Sequence, residues 1–323
     1  MGLTLKEITP VFSDEAAAYR LVESLRWPDG QPRTCPHCDA SAPDAKFYFL
    51  KPREGARTRS DRAKPSTSYR RVWKCSKCRR QFSVLVGTTF SDSHIPLHKW
   101  LMAIHLMCSG KNGVSAHELH RLLGIDIKSA WYMGHRIRYA MAQPPLVVKL
   151  DGIVEADETY VGGKAKNMHR AKREATITGR GGIDKTPVFT LVARGGEVRS
   201  QVMHEVTGKN IEKVLYEQVS KNAQLMTDAL SAYREPGKAF ATHETVEHGA
   251  GEYVRGIAHI NKAEGYFSQL KRSIDGTHHH VSARHLHRYL NEFDWRYNTR
   301  KMPDADRTVW TIQRAAGKRL TYR

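Results

Sequence analysis

The sequence predicts an α/β core, a mixed sheet with flanking helices, preceded by a small cysteine-bearing β domain and an α-helical domain. Three observations carry that expectation. Two Cys-x-x-Cys pairs lie near the N-terminus, segments of helical period run from His98 to Met141, and beyond Ile153 β-branched runs alternate with amphipathic helices.

Composition sets the outer limits. With 323 residues, 40% apolar and 26% charged, the chain can bury a sizeable core in two or three domains. No apolar run approaches the roughly 18 residues of a membrane span. The opening MGLTLKEITPVFSDEAAAYR carries acids where a signal peptide carries an apolar stretch. A cytoplasmic location with no membrane partner is therefore expected. The 52 Lys and Arg against 33 Asp and Glu leave a charge of +19, which acts on association and points to a polyanion, nucleic acid above all.

Residues 1–30 read as a helical segment, and 31–92 as the cysteine domain. Cys35-Pro-His-Cys38 and Cys75-Ser-Lys-Cys78 are knuckles in which paired thiolates bind one metal ion while nearby amides stabilise their charge. Four thiolates make a closed tetrahedral zinc site, structural because no coordination position stays open for chemistry. FYFLK and YRRVWKC between the pairs, and QFSVLVGTTF after them, read as the strands of a zinc ribbon. Between them KPREGARTRSDRAKPSTS, polar and basic, reads as a mobile loop. A domain this small draws much of its folding free energy, on the order of 10 kcal/mol, from the metal. The fifth cysteine, Cys108, lies in the apolar IHLMCSG and reads as a small buried side chain.

The segment 93–145 predicts three helices, HKWLMAIHLM, SAHELHRLLG and IKSAWYMGHRIRYAM. Ser115 and Glu118 form a capping box, and Gly124 ends the middle helix a few residues before the third, so the last two make a helix-turn-helix. With Ala130, Ile137 and Met141 inward, Lys128, Tyr132, His135, Arg136 and Arg138 are expected outward, a set suited to DNA phosphates and base edges. The plainer alternative is a three-helix packing unit with solvated basic faces.

From 146 to 300 the acids become informative. GIVEADETYVGGK reads as a strand entering a hairpin, with Asp157 in its middle; by the two-residue period Glu155 shares its face and Glu158 points the other way. An acid on a central strand is costly to bury without a partner, so Asp157 is either a metal ligand or an edge residue. KTPVFTLVARGG and EVRSQVMHEVTG supply two more strands, NIEKVLYEQVSKN a helix, and AQLMTD a short strand that ends on Asp228. Strand ends are where open α/β sheets place their sites, although an Asx-type turn is an ordinary use of Asp there. In IAHINKAEGYFSQLKRSIDG, the residues Ile260, Ala263, Phe267, Leu270 and Ile274 make a core face. Asn261, Glu264, Ser268, Lys271 and Asp275 lie beside it, with Glu264 and Lys271 two turns apart on one side. His278, His279 and His280 cannot all face one ion in regular structure and read as a loop against DNA or solvent. The helix after Ser282 turns Leu286, Leu290, Phe293 and Tyr297 inward, and 301–323 reads as a tail.

The order strand, strand end, helix for Asp157, Asp228 and Glu264, with 35 residues between the last two, resembles the retroviral integrase and transposase core. The chain resembles the DDE transposases of bacterial insertion sequences, in particular the group with an N-terminal zinc ribbon. The likeness runs through DETYVGG, TDALSAY, HINKAEGYFSQLKRSIDGTHHHVS and HLHRYLNEFDWRYNTR. It implies an RNase H-like fold for 146–300 and a prokaryotic, nucleoid-associated DNA transposase. It implies that Asp157, Asp228 and Glu264 hold two Mg²⁺ or Mn²⁺ ions, with Asn261 the competing third position, and that Lys271 contacts DNA. Water then attacks at a transposon end to free a 3′-hydroxyl, and that hydroxyl attacks target DNA, within a homodimer or larger assembly. Two other readings remain: a transposase-derived DNA-binding regulator without catalysis, and an RNase H-type nuclease that never joins.

Overall fold

The computed structural model describes residues 5–50, 71–142, 148–163, 168–171, 174 and 185–321. The basic stretch expected as a mobile loop falls at 51–68 and lies outside the described residues. Two compact units emerge, 1–141 with 302–323, and 142–301.

In the first unit, helix α1 (Glu15–Arg26) starts where the Asp14 side chain accepts the Ala16 amide at 2.8 Å. Strands β1 (Phe47–Leu50), β2 (Val72–Cys75) and β3 (Gln81–Phe82) form an antiparallel sheet in that order. The strand expected over QFSVLVGTTF is limited to Gln81–Phe82, because the chain turns from Ser83 onward and the Val86 amide reaches back to the Ser83 carbonyl. Trp27, Trp73 and Phe82 pack edge to face beneath the sheet. The buried Glu23 of α1 accepts the Trp73 indole N–H at 3.2 Å and pairs with Arg71, tying helix to ribbon.

Helices α2 (Leu97–Ser109), α3 (Ala116–Leu123) and α4 (Ile127–Met141) follow. Ser115 caps α3 by accepting the Glu118 amide at 3.1 Å, and Gly124 takes the left-handed φ of 57° that ends it. Cys108 is fully buried.

The second unit holds a five-stranded sheet in the order β6-β5-β4-β7-β8, from β4 (Ile153–Val161), β5 (Thr186–Ala193), β6 (Val198–Val202), β7 (Gln224–Asp228) and β8 (Thr242–Val246). β4, β5 and β6 pair antiparallel, whereas β7 and β8 run parallel to β4. This three-two-one-four-five order, with only the second strand reversed, is the RNase H-like fold. Helix α5 (Gly208–Gln218) covers one face, where Ile211, Val214 and Leu215 pack with Val154, Ala156 and Leu191. Helices α6 (Asn261–Ser273) and α7 (Ala283–Asn298) cover the other, with Ala263, Phe267, Leu270, Leu290 and Phe293 against Val161, Val188 and Val192. The core stripe expected on α6 is buried throughout, from Ile260 to Ile274.

The residues expected as a C-terminal tail contain a helix, α8 (Asp304–Arg314), which belongs to the first unit. Its Thr308 and Thr311 hydroxyls meet His105 Nδ1 at 3.0 Å and Cys108 Sγ at 3.5 Å on α2. The amphipathic ADRTVWTIQR run carries this helix, and the Thr pair on its packed face hid the apolar pattern.

Candidate active site

The site lies where β4 outruns its parallel neighbour. β4 pairs with β7 over Ile153–Glu155 against Gln224–Met226. Past that point Asp157 and Glu158 border the space above Asp228, the last residue of β7. Asp157, Glu158 and Asp228 each offer a carboxylate oxygen, all within 4.8 Å of one another. Asp157 and Asp228 thus stand together as their strand positions predict. Glu158 is the acid that the two-residue period assigned to the opposite face. It joins the cluster because the strand has no partner on that side, so acids of both faces reach the same gap. The adjacent acid in Asp157-Glu158 was the available signal; the point where pairing stops is not legible in a sequence.

Crowding shows in the electrostatics. Burial first, then the charge of Glu158, push the Asp157 carboxyl up to about 8, with Asp228 and Glu264 adding to the push. Burial also raises Glu158, opposed by the hydrogen bond from Tyr233. Asp228 makes the Asx-type turn as well, its Oδ1 accepting the Leu230 amide at 3.0 Å. Glu264 sits half-buried in the first turn of α6, outside the cluster of three, and Asn261 is exposed at the start of that helix. Two turns on, Lys271 is exposed. It lines a pocket of about 190 Å³ with Tyr160, Gly162, Lys185 and Asp275. A Cβ at Gly162 would come within 2.9 Å of Lys185 Cγ, so the glycine after β4 leaves room for that lysine stem.

The four ribbon thiols also lie within 4.8 Å of one another, Cys35 and Cys78 at 3.7 Å and Cys38 and Cys75 at 4.0 Å. The Cys78 amide favours the Cys75 thiolate and lowers its pKa. Four sulfurs at these separations fit one tetrahedral zinc ion and leave it no open position.

The regions match known families. Residues 149–298 match the ISXO2-like transposase domain, and 13–81 the transposase zinc-ribbon domain. The chain belongs to the insertion-sequence DDE transposases with an N-terminal zinc ribbon. It is also similar to a protein of the transposable element ISH50 of Halobacterium salinarum, 29% identical over 303 residues, covering 90% of this chain and 94% of that one. Among the described residues, no helix is long and apolar enough to cross a membrane.

The helical domain departs from expectation. Arg136 and Arg138, expected outward on α4 for DNA, are each 4% exposed, and His135 is fully buried. Arg136 donates to the Ser91 carbonyl at 2.6 Å and lies over the rings of Trp100 and Tyr132. The tail-side residues cover the same helix: Tyr132 donates to the Leu320 carbonyl at 2.6 Å and Lys318 to the Ala140 carbonyl at 2.9 Å. Periodicity located the inner face of α4, but not the packing of its flanks by residues nearly 200 positions away. Lys128, at the open start of the helix, is exposed. The histidine run divides, with His278 ringed by Tyr289 and Phe293 while His279 and His280 are exposed.

Proposed function

We propose that the chain binds transposon ends, cuts them to free a 3′-hydroxyl and transfers that hydroxyl into target DNA. The meeting of Asp157, Glu158 and Asp228 within 4.8 Å, at the end of a central strand and beside the helix of Glu264, supports this reading most. Hard carboxylate oxygens from a rigid sheet are the donor set that suits Mg²⁺ or Mn²⁺. Asp157, Asp228 and Glu264 would hold two such ions, with Asn261 the alternative third position and Glu158 beside them. When bound, the ions supply Lewis-acid activation of the attacking and leaving oxygens.

The chain's own residues then position DNA. Lys271 holds a phosphodiester beside the acids, and no protein nucleophile is required. The pair α3 and α4 docks on DNA with Lys128 at its open edge, and the ribbon serves as a second docking module. Two transposon ends must be held together, so the working form on DNA is a homodimer or larger, in the cytoplasm beside the nucleoid.

Labelled transposon ends, a target plasmid and Mg²⁺ test the reading in one reaction. Joined products are expected. Cleavage without joining would make the chain an RNase H-type nuclease, and end binding without cleavage a DNA-binding regulator.

A further inference from the structure

We infer that Glu155 and Arg194 are a positioning pair that fixes the first turn of α6, and with it Glu264, against the strand of Asp157. The inference rests on the proposal that these acids share a metal site.

Glu155 is two residues before Asp157 and fully buried. A buried carboxylate is costly unless its lone pairs are met, and here they are met by the start of α6 and by Arg194. Oε2 accepts the amides of Lys262 at 2.8 Å and Ala263 at 3.1 Å. These are first-turn amides of α6, whose own N-cap residue, Ile260, makes no side-chain cap hydrogen bond. The strand therefore caps the helix, and a negative charge at a helix start is favoured by the helix dipole. Oε1 accepts from Arg194 Nε at 2.7 Å and lies 3.3 Å from His259 Nδ1.

Arg194 extends the hold. It follows β5, and its own amide donates to the Ile153 carbonyl at 2.9 Å. From Nη1 and Nη2 it donates to the carbonyls of Ile257 and His259, each at 2.8 Å. One guanidinium fork thus joins the carboxylate on β4 to the chain that leads into α6. Arginine suits this because its planar donors serve several acceptors at fixed angles. Glu264 is the next residue after Ala263, so any slip of this turn moves it directly. Burial alone needs no charge here, because an apolar pair would seal the same space as well or better. The ionic pair adds a fixed register, and sites that work by placement lose function with displacements of about 1 Å.

The test compares Glu155→Gln and Arg194→Lys with the unaltered chain and with Leu215→Ala, a cavity on the opposite face of the sheet. Two readouts are taken well below Tm, Mn²⁺ affinity by titration and hydrogen exchange at Lys262 and Ala263, and Tm itself is measured as the third. The pair predicts Mn²⁺ binding weakened at least tenfold and faster exchange at those amides. Leu215→Ala is expected to lose as much Tm and keep its Mn²⁺ affinity. If Glu155→Gln does not fold, Arg194→Lys carries the same comparison. Unchanged Mn²⁺ affinity in a folded variant overturns the inference and leaves the metal site standing. Failure of the unaltered chain to bind Mn²⁺ overturns the metal site, and the inference with it.

Discussion

Tyr233 donates from its phenol to Glu158 across 2.6 Å, joining the helical turn after Asp228 to the strand that carries Asp157. Tyr233 is fully buried, so the donor end of the bond is shielded from water, while Glu158 is half-buried. Tyr233→Phe keeps the ring stacked on Phe189 and deletes one hydrogen bond to a carboxylate. A loss of about 1.5–3 kcal/mol is expected in urea unfolding. A loss below about 0.5 kcal/mol would show that the bond does not hold the site together.

Asp157→Asn and Asp228→Asn are each expected to abolish strand cleavage while end binding persists in a gel shift, because the amide keeps the shape and loses the charge. Glu264→Gln and Asn261→Ala separate the third position: the residue that matters shows the same loss, and the other stays near the unaltered rate. Retained cleavage in Asp157→Asn would remove the site assignment.

The sheet, both flanking faces and the two strand acids were legible because their signals are local: a two-residue period on β4, a strand ending on Asp228, and a helical stripe from Ile260 to Ile274. The ribbon was legible because cysteine spacing is metal geometry. Three features were not. Glu158 depends on where strand pairing stops, and burial of Arg136 depends on Ser91 and Trp100. The return of α8 to the first unit depends on residues 200 positions apart in sequence. Each is a long-range contact between polar or aromatic groups, which no local period encodes.

Zinc removal should open the ribbon. Trp27 and Trp73 lie with their ring centroids 6.0 Å apart in the small core that the four thiolates hold shut. Chelation, or Cys35→Ser, is expected to release close to one zinc per chain and shift tryptophan emission to the red as these rings meet water. An unchanged spectrum after complete zinc loss would mean that the ribbon core stands without its metal.

Lys271→Ala and Lys128→Ala should weaken DNA binding uniformly across sequences and lower the slope of log affinity against log salt by about one each, the signature of a lost phosphate contact. Arg136→Ala is expected to behave differently: a lower Tm, from loss of its bond to Ser91 and its stacking on Trp100, with the salt slope unchanged. A reduced slope in Arg136→Ala would place that side chain on DNA after all.

Asp294 gives the second unit a dependence on pH. It is buried on α7 and accepts from Tyr266 on α6 at 2.6 Å and from the Ser200 hydroxyl and amide on β6 at 2.7 and 2.8 Å. These bonds favour its charge, but burial outweighs them and, with a small push from Glu197, raises its carboxyl to about 7. Unfolded, an aspartate titrates near about 3.9. Between these values the native state holds a proton that the unfolded state has released, so this carboxyl's contribution to stability falls as pH rises from about 4 to about 7 and levels off above, while Asp157, raised to about 8, adds a decline of its own. Asp294→Asn removes the titration and sets its amide group against the Ser200 N–H. It should therefore be less stable at pH 4 than the unaltered unit, with a shallower decline towards pH 7, the remainder being that of Asp157. Urea unfolding at several pH values measures both effects, and a slope equal to that of the unaltered chain would show that Asp294 is not the group that titrates.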